Sequence, residues 1–504
     1  MGTVMSRVRA VIGMRVISLA LVASVAVGGC VTNPATGKKE FSLMSVQQEI
    51  ELGAQADAQI VAEFGLYNDP AIAGYVTGLG ARVAAKAENP GYAFTFRVLD
   101  SPVINAFALP GGYVYVTRGL LAHLDNDAQL AVVLGHEVGH ITARHSARAY
   151  TSAQLANIGV GLGSVLFEEV RPFLGAVQTG LQLLFLKFSR ANETESDDLG
   201  VKYATRAGFD AKEGAEFFRS LERIQTEAEM KNGGKLPSWA STHPDPGDRE
   251  VTVTQLAATY AAQLAPTGGL GGVNPAEYNA RLENLVYGPD PRQGFVESGY
   301  FNHPQLRFRF AVPQGWGLAN FATLVQFAPE AGDAAAEMST VSGGTPSQVA
   351  SSFVSQTGAT IVTPAQSLSV NGHSAVRMIT SLQMDNGQGG VIPLTIMSYF
   401  IQKDNLVYVF HGYSASANFA RYQSAFETSF GSFATLTDAG ALAVQPYRLD
   451  VFNAPRAAPF NQLVTAPAAK RGVGVTVDVN ELAIMNQRQT TETVPAGTPL
   501  KKVE

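Results

Sequence analysis

His136-Glu137-Val138-Gly139-His140 sets two imidazoles four residues apart with a carboxylate beside the first. On a helix, residues at that interval stand one above the other, so both rings can reach one ion. Glu137 then projects beside them, where a carboxylate can hold a metal-bound water and take its proton. Zinc suits such a site, because it is borderline-soft, accepts tetrahedral N/O ligation and brings bound water to a pKa of about 7. One ion per chain is expected. A catalytic centre also needs a third protein ligand and an open fourth position. The run Phe188-Ser189-Arg190-Ala191-Asn192-Glu193-Thr194-Glu195-Ser196-Asp197 leads into a helix through Leu199, Val201 and Ala204. In it Glu193 and Asp197 are again four apart. Glu193 would ligate through an oxygen, and Asp197 would accept the second ring N–H of His136 and fix its tautomer. Glu195 falls on another side of that helix and reads as solvent-facing. The ordinary alternative for the acidic run is a helix N-terminus favoured by the macrodipole.

The elements that must position these groups are legible around them. Asn126 to Ala147 reads as one helix: Asn126 can cap it, Gln129 completes a capping-box pattern, and Leu130, Val133, Leu134, Val138 and Ile141 recur at helical spacing. Ser45 to Val83 reads mostly as helix, with Ile50, Leu52, Ala54, Ile60 and Phe64 as its apolar stripe. Tyr92 to Leu99 and Tyr113 to Thr117 alternate like strands, with a turn at Leu109-Pro110-Gly111-Gly112 between them. Two apolar stretches, 149–167 and 173–186, are split by Glu168, Glu169, Arg171 and Pro172. They read as buried or partly exposed helices, a flap over a cleft, with a membrane hairpin as the alternative. Ser152, Gln154 and Asn157 in the first, and the shortness of the second, count against a span of about 20 apolar residues.

The 504 residues exceed what one hydrophobic core usually supports, so several domains are expected. A net charge of −6 offers no footprint for nucleic acid. One cysteine excludes an internal disulfide and a thiolate-built metal site. That cysteine, Cys30, ends an uncharged run from Val16 preceded by Arg7, Arg9 and Arg15, the pattern of a secretory signal, with Met14 as an alternative start. Val27-Gly28-Gly29-Cys30 resembles a bacterial lipobox, which implies cleavage before Cys30 and lipidation of its sulfur and new amino group. Several acyl chains give the anchoring that one cannot.

Taken together, His136 to His140 with Arg144-His145, then Ser189-Arg190-x-x-Glu193-x-Glu195-x-Asp197-x-x-Gly200, resembles the HtpX/BepA-type (CAAX prenyl protease-like) zinc metallopeptidases, periplasmic lipoprotein branch. Asn105 to Gly112 is similar to that family's edge-strand segment, and Ser241-Thr242-His243-Pro244 with Arg249 to its late histidine motif. The likeness runs from about Phe41 to Val251; one departure is Ser196, where the family usually has Ala. The resemblance implies a gluzincin fold in which a substrate strand adds beside Tyr113, Val114 and Tyr115. It also implies Glu137 as general base, with protein or peptide substrates. His243 would either donate to the oxyanion or cap the metal as a fourth ligand. Arg249 would pair with a nearby carboxylate.

The expected fold class is α+β: a mainly helical metallopeptidase domain with a small edge-strand sheet, then an α+β domain and a small C-terminal module. The expected divisions are a signal peptide at 1–29, the peptidase at 30–264, a linker at 265–298, the accessory domain at 299–440 and a C-terminal segment at 441–504. Phe308-x-Phe310-x-Val312-Pro313-x-Gly315-Trp316 resembles the opening of PsbP-like domains, and 482–500 the closing half of a LysM-type module, which implies peptidoglycan as a partner. The resemblance places the protein in the periplasm, lipid-anchored to the outer membrane and acting on exposed or misfolded envelope proteins. A strand-binding assembly scaffold with a capped metal, and a wall tether, are the alternatives.

Overall fold

The computed structural model describes residues 30–504 apart from 36, 38, 42–43, 89–90, 152–187, 233–242, 244–245, 265–268, 272 and 386–390. The leader, most of both apolar stretches, and Ser241, Thr242 and Pro244 therefore lie outside the described residues. Strands β1 (Cys30–Thr32) and β2 (Lys39–Phe41) precede helix α1 (Val46–Phe64), which opens on a capping box between Ser45 and Gln48. The helical stretch expected over 45–83 is broken after Gly65, and Asp69 caps a second helix, α2 (Pro70–Ala84).

Strands β3 (Thr95–Leu99), β4 (Ala106–Leu109) and β5 (Tyr113–Thr117) make a three-stranded sheet in the order β3-β5-β4. This corrects one expectation. Tyr113, Val114 and Tyr115 lie on the central strand, paired in parallel with β3 on one side and antiparallel with β4 on the other. No edge is left there for a substrate strand, and the Tyr115 hydroxyl is committed to Asp57 at 2.7 Å. The alternation of Tyr113 to Thr117 fits an inner or an outer strand equally. The next-door run Ala106 to Leu109, apolar throughout, folds back on it and takes the outer place. Among the described residues no strand pairs with the far edge of β4.

After the short helix α3 (Arg118–His123) comes α4 (Asp127–Thr142), whose start is held by Asn126 accepting from the Gln129 amide at 3.0 Å. The capping box is only half made, since the Gln129 side chain accepts instead from the Asp125 amide at 2.8 Å. The helix stops short of Ala147 because Arg144 enters the left-handed region (φ 56°), and a separate helical segment begins at 145. Helices α5 (Arg190–Arg206) and α6 (Glu213–Asn232) pack on α4, and α7 (Pro246–Leu264) packs on α5 and α6.

The crossing of α4 with α5 sets the site. A Cβ on Gly135 would lie 2.7 Å from the Gly200 carbonyl oxygen, and one on Gly200 would lie 2.7 Å from the His136 amide nitrogen. Two glycines thus let the backbones touch beside His136, at a point about two turns along α5 from Glu193. Gly200→Ala is expected to cost about 1–3 kcal/mol through overpacking, read as a lower urea midpoint. An unchanged midpoint would mean the crossing is looser than these distances require.

The stretch 265–298, expected to be a linker, is largely packed structure. Helix α8 (Pro275–Arg281) and strand β6 (Val286–Tyr287) bury Tyr278, Leu282, Leu285 and Tyr287, which join the core of the peptidase helices or pack beside it. Strands β7 (Phe295–Glu297), β8 (Tyr300–His303) and β9 (Phe308–Ala311) then open the accessory region. Its main sheet comprises β10 (Trp316–Asn320), β11 (Leu324–Pro329), β12 (Ala334–Ser342), β13 (Thr360–Val370), β14 (His373–Asp385), β15 (Val391–Lys403) and β16 (Leu406–Ala415). The order is β10-β11-β12-β16-β15-β14-β13, antiparallel throughout. Asn371 and Gly372, both at positive φ, make the β13–β14 turn that their types favour. Side chains alternate across this sheet. Val376, Phe400 and Val409 pack on helix α9 (Pro346–Thr357), while Ala375, Tyr399 and Phe410 pack on α10 (Phe419–Gly431).

The C-terminal segment contributes β17 (Tyr447–Asn453), α11 (Val479–Met485) and β18 (Pro499–Val503). Strand β17 pairs with both β6 and β18, and Tyr447, Leu482 and Leu500 belong to the same core as α4 and α5. The ammonium of Lys501, fully buried, donates to the carbonyls of Ala122 (2.9 Å) and Leu124 (2.7 Å) and to Asp125 (2.8 Å). The segment is therefore fastened to the N-terminal end of the metal-motif helix.

Candidate active site

Helix α4 delivers His136, Glu137 and His140; α5 delivers Glu193 and Asp197; His243 stands just before α7, which carries Arg249. His136 Nε2 and His140 Nε2 are 2.9 Å apart, and each lies 3.5 Å from one oxygen of Glu193. His243 Nδ1 joins them, 2.9 Å from Glu193 Oε2 and 3.3 Å from His136 Nε2. All four residues are buried, and their candidate ligand atoms lie within 4.8 Å of one another. Donors about 2.0–2.1 Å from a tetrahedral zinc stand roughly 3.3 Å from each other. Five of the spacings, 2.9 to 3.5 Å, lie close to that figure, so these residues fit the ion.

Glu137 is fully enclosed, and neither carboxylate oxygen has a hydrogen-bond partner among the described residues. Such a group is costly to bury without a purpose. His243 Nε2 lies 3.7 Å from one of these oxygens. Burial pushes the Glu137 carboxyl up, against the pull of His243 and His136. Glu193 moves the other way: burial would raise it, but His243 and His136 together hold it well below the usual carboxylate range. Burial and Arg249 press His136 towards neutrality, yet the carboxylates of Asp197 and Glu193 outweigh both and hold its imidazolium up to about 9. Burial, by contrast, keeps His140 neutral, well below its ordinary value.

The sequence placed Asp197 behind His136, and the distance from Asp197 Oδ1 to His136 Nδ1 is 2.9 Å. Arg249 grips the same carboxylate, its Nε donating to Oδ2 at 2.8 Å, and its guanidinium lies 4.2 Å over the Phe218 ring. Asp197 therefore stays ionised: burial opposes this, while Arg249 and then His136 hold its carboxyl down. Arg249→Met would leave the buried Asp197 without its guanidinium partner, a loss of about 3–5 kcal/mol. Urea denaturation should show it, and an unaltered midpoint would contradict this role.

One feature escaped the sequence. Glu195 is only partly exposed; it accepts from His145 Nε2 at 2.9 Å and lies 3.3 Å from Arg148. Arg144 makes a structural bond, donating through Nε to Glu49 on α1 at 2.7 Å, and Tyr92 donates to the other oxygen of Glu49 at 2.6 Å. The left-handed turn at Arg144 makes both pairings, and nothing in local spacing announces it. The other histidines bond within the fold: His123 to the Gly119 carbonyl, His411 to Ser398, His373 to Thr435 and His303 to the Leu306 amide.

A buried His/His/Glu donor set on two crossing helices, with an unbonded glutamate beside it, defines the class: a metal-dependent hydrolase centre of the H-E-x-x-H kind. Residues 70–257 match the sequence profile of Peptidase family M48, and the chain carries an M48-type zinc metallopeptidase domain. The chain is 33% identical over 227 residues to the beta-barrel assembly-enhancing protease of Escherichia coli, covering 43% of this chain and 45% of that protein. It is 35% identical over 172 residues to the mitochondrial metalloendopeptidase OMA1 of Arabidopsis thaliana, covering 34% and 33%. The matches thus span less than half the length of either relative. Cyanobacterial PsbP from Synechocystis aligns with 27% of this chain and 91% of its own, at 14% identity and a TM-score of 0.24, too slight a likeness to bear on function. No helix among the described residues is long and apolar enough to cross a membrane.

Proposed function

We propose that the protein is a zinc-dependent endopeptidase of the bacterial cell envelope that cuts exposed or misfolded protein segments. The observation that carries this is the meeting of His136, His140, Glu193 and His243 around one point, with Glu137 buried and unbonded beside it. Zinc held by His136, His140 and Glu193 would supply Lewis-acid chemistry, polarising a carbonyl and lowering the pKa of water to about 7. Glu137 takes the proton from the attacking water and returns it to the leaving amine. Asp197, clamped by Arg249, keeps His136 in the tautomer that leaves Nε2 free to ligate. An extended substrate segment pairs with the outer edge of β4, giving recognition through main-chain hydrogen bonds that tolerates many sequences. Unpaired strands of envelope proteins still being assembled are the clients this fits, in keeping with the name of the Escherichia coli relative.

In this arrangement His243 takes the role of a fourth donor that caps the metal, and it must leave before substrate enters. Cys30 carries the lipid that fastens the chain to the outer membrane from the periplasmic side, and the C-terminal segment contacts peptidoglycan. The cap also favours a second reading, a strand-binding scaffold whose metal stays closed. Casein or a peptide library, offered to the full chain with and without a chelator, separates the two. Hydrolysis that stops on chelation and returns with zinc supports the enzyme, whereas strand binding without any cleavage supports the scaffold. Because the C-terminal segment shares the peptidase core, sedimentation with peptidoglycan must use the full chain; no co-sedimentation would remove that part of the proposal.

A further inference from the structure

The two histidines of the H-E-x-x-H helix are oriented in different ways. His136 gives its Nδ1 directly to a carboxylate, that of Asp197. His140 does not: its Nδ1 lies 3.0 Å from the Nδ1 of another imidazole, that of His145. His145 in turn sets its Nε2 2.9 Å from Glu195 Oε2, and Ser196 Oγ stands 3.2 Å from His145 Nδ1. Both imidazoles are fully buried, while Glu195 keeps about a quarter of its side chain exposed (24%).

These distances determine where the protons sit. A histidine that ligates through Nε2 carries its proton on Nδ1. His140 must then donate from Nδ1, so His145 Nδ1 is bare and accepts. The one proton of a neutral His145 is left on Nε2, where it meets Glu195, a group that can only accept when ionised. The Ser196 hydroxyl stands 3.2 Å from the same nitrogen, where it shares the one lone pair with the His140 N–H. The opposite tautomer of His145 fails at both ends, because two N–H groups would face each other at 3.0 Å and two lone pairs at 2.9 Å.

We propose that Glu195 and His145 form a carboxylate–imidazole relay that locks the tautomer of His140 and strengthens its Nε2 as a metal donor. Ser196, the position where the sequence departs from the family pattern, adds a third contact to the relay. These are positioning residues, since none touches the place where substrate reacts. The relay explains why His145, three residues beyond the end of α4, is buried against a glutamate. Negative charge on Glu195 makes His145 Nδ1 a better acceptor, and His140 in turn a better donor to a cation. Helix α5 thereby serves both histidines of α4, one through Asp197 and the other through Glu195.

The inference rests on the zinc-centre reading of His136, His140 and Glu193, and its test keeps the two apart. Zinc affinity of the full chain is measured by competition with a chromogenic chelator for wild type, His145→Phe, His145→Gln and Glu195→Gln. His145→Phe fills the space but accepts nothing and should bind zinc about 10–100-fold more weakly. His145→Gln restores an acceptor and should recover most of that loss, with Glu195→Gln lying between. In wild type loaded with zinc, nitrogen-15 spectra of the histidines should show His145 protonated on Nε2 and His140 on Nδ1, a readout that needs no variant to fold. His145→Phe binding zinc as tightly as wild type, or His145 protonated on Nδ1, would overturn the relay alone. Wild type that binds no zinc would overturn the metal reading beneath it.

Discussion

Glu137→Gln is expected to lower peptide hydrolysis by about 10²–10⁴-fold while leaving the zinc content of the chain unchanged. Glutamine fills the same space and keeps a carbonyl oxygen, but it cannot take a proton from water at neutral pH. Because neither oxygen of Glu137 holds a hydrogen bond to the described residues, the exchange breaks no internal hydrogen bond, and its burial without charge is cheaper. The variant should therefore be no less stable than wild type. Its pH profile would also lose the limb that Glu137 supplies. Since burial lifts that carboxyl, the ionised, active form should appear only above the usual carboxylate range, so activity should fall as pH drops through a raised value. Cleavage by Glu137→Gln at the wild-type rate would refute the general-base role.

His243→Ala is the second decisive change, and here the two roles expected of this residue predict opposite signs. As a capping donor, seated 2.9 Å from Glu193 and 3.3 Å from His136, it occupies the position that substrate needs. Its removal should then raise basal cleavage, by as much as the closed form outweighs the open one; a closed population of about 90% gives roughly tenfold. As an oxyanion donor its loss would instead lower kcat about 10²–10³-fold. Turnover on an unstructured peptide is the readout, since it does not depend on unfolding the client. A drop of that size would contradict the cap and support the oxyanion role.

Much of the site could be read directly because helical geometry converts sequence interval into direction. Four-residue spacing put His136 with His140, and Glu193 with Asp197, and both pairs lie where the interval says. The crossing of the two helices was not legible, since it depends on two glycines whose value appears only when their backbones meet. Glu195 was misjudged for a related reason. One helix alone gives its side chain a solvent direction, but the segment at 145 fills that direction with His145 after the left-handed turn of Arg144. The strand error was of another kind. Alternation gives the two faces of a strand and says nothing of its edges, so Tyr113 to Thr117 could be placed in a sheet but not at its rim. The packed stretch 275–287 was hidden by its Gly/Pro-rich approach, and its partner strand β17 lies more than a hundred residues away. Long-range pairing of that sort leaves no local mark.

Zinc K-edge X-ray absorption on the full chain, loaded with one equivalent of zinc, tests the centre most directly. Four light N/O donors at about 2.0–2.1 Å, with the outer-shell scattering of at least two imidazoles, are the predicted result. That scattering should decline in His140→Ala. A spectrum of zinc surrounded by water oxygens, or no zinc retained by a correctly folded chain, would contradict the convergence of His136, His140 and Glu193 on one ion.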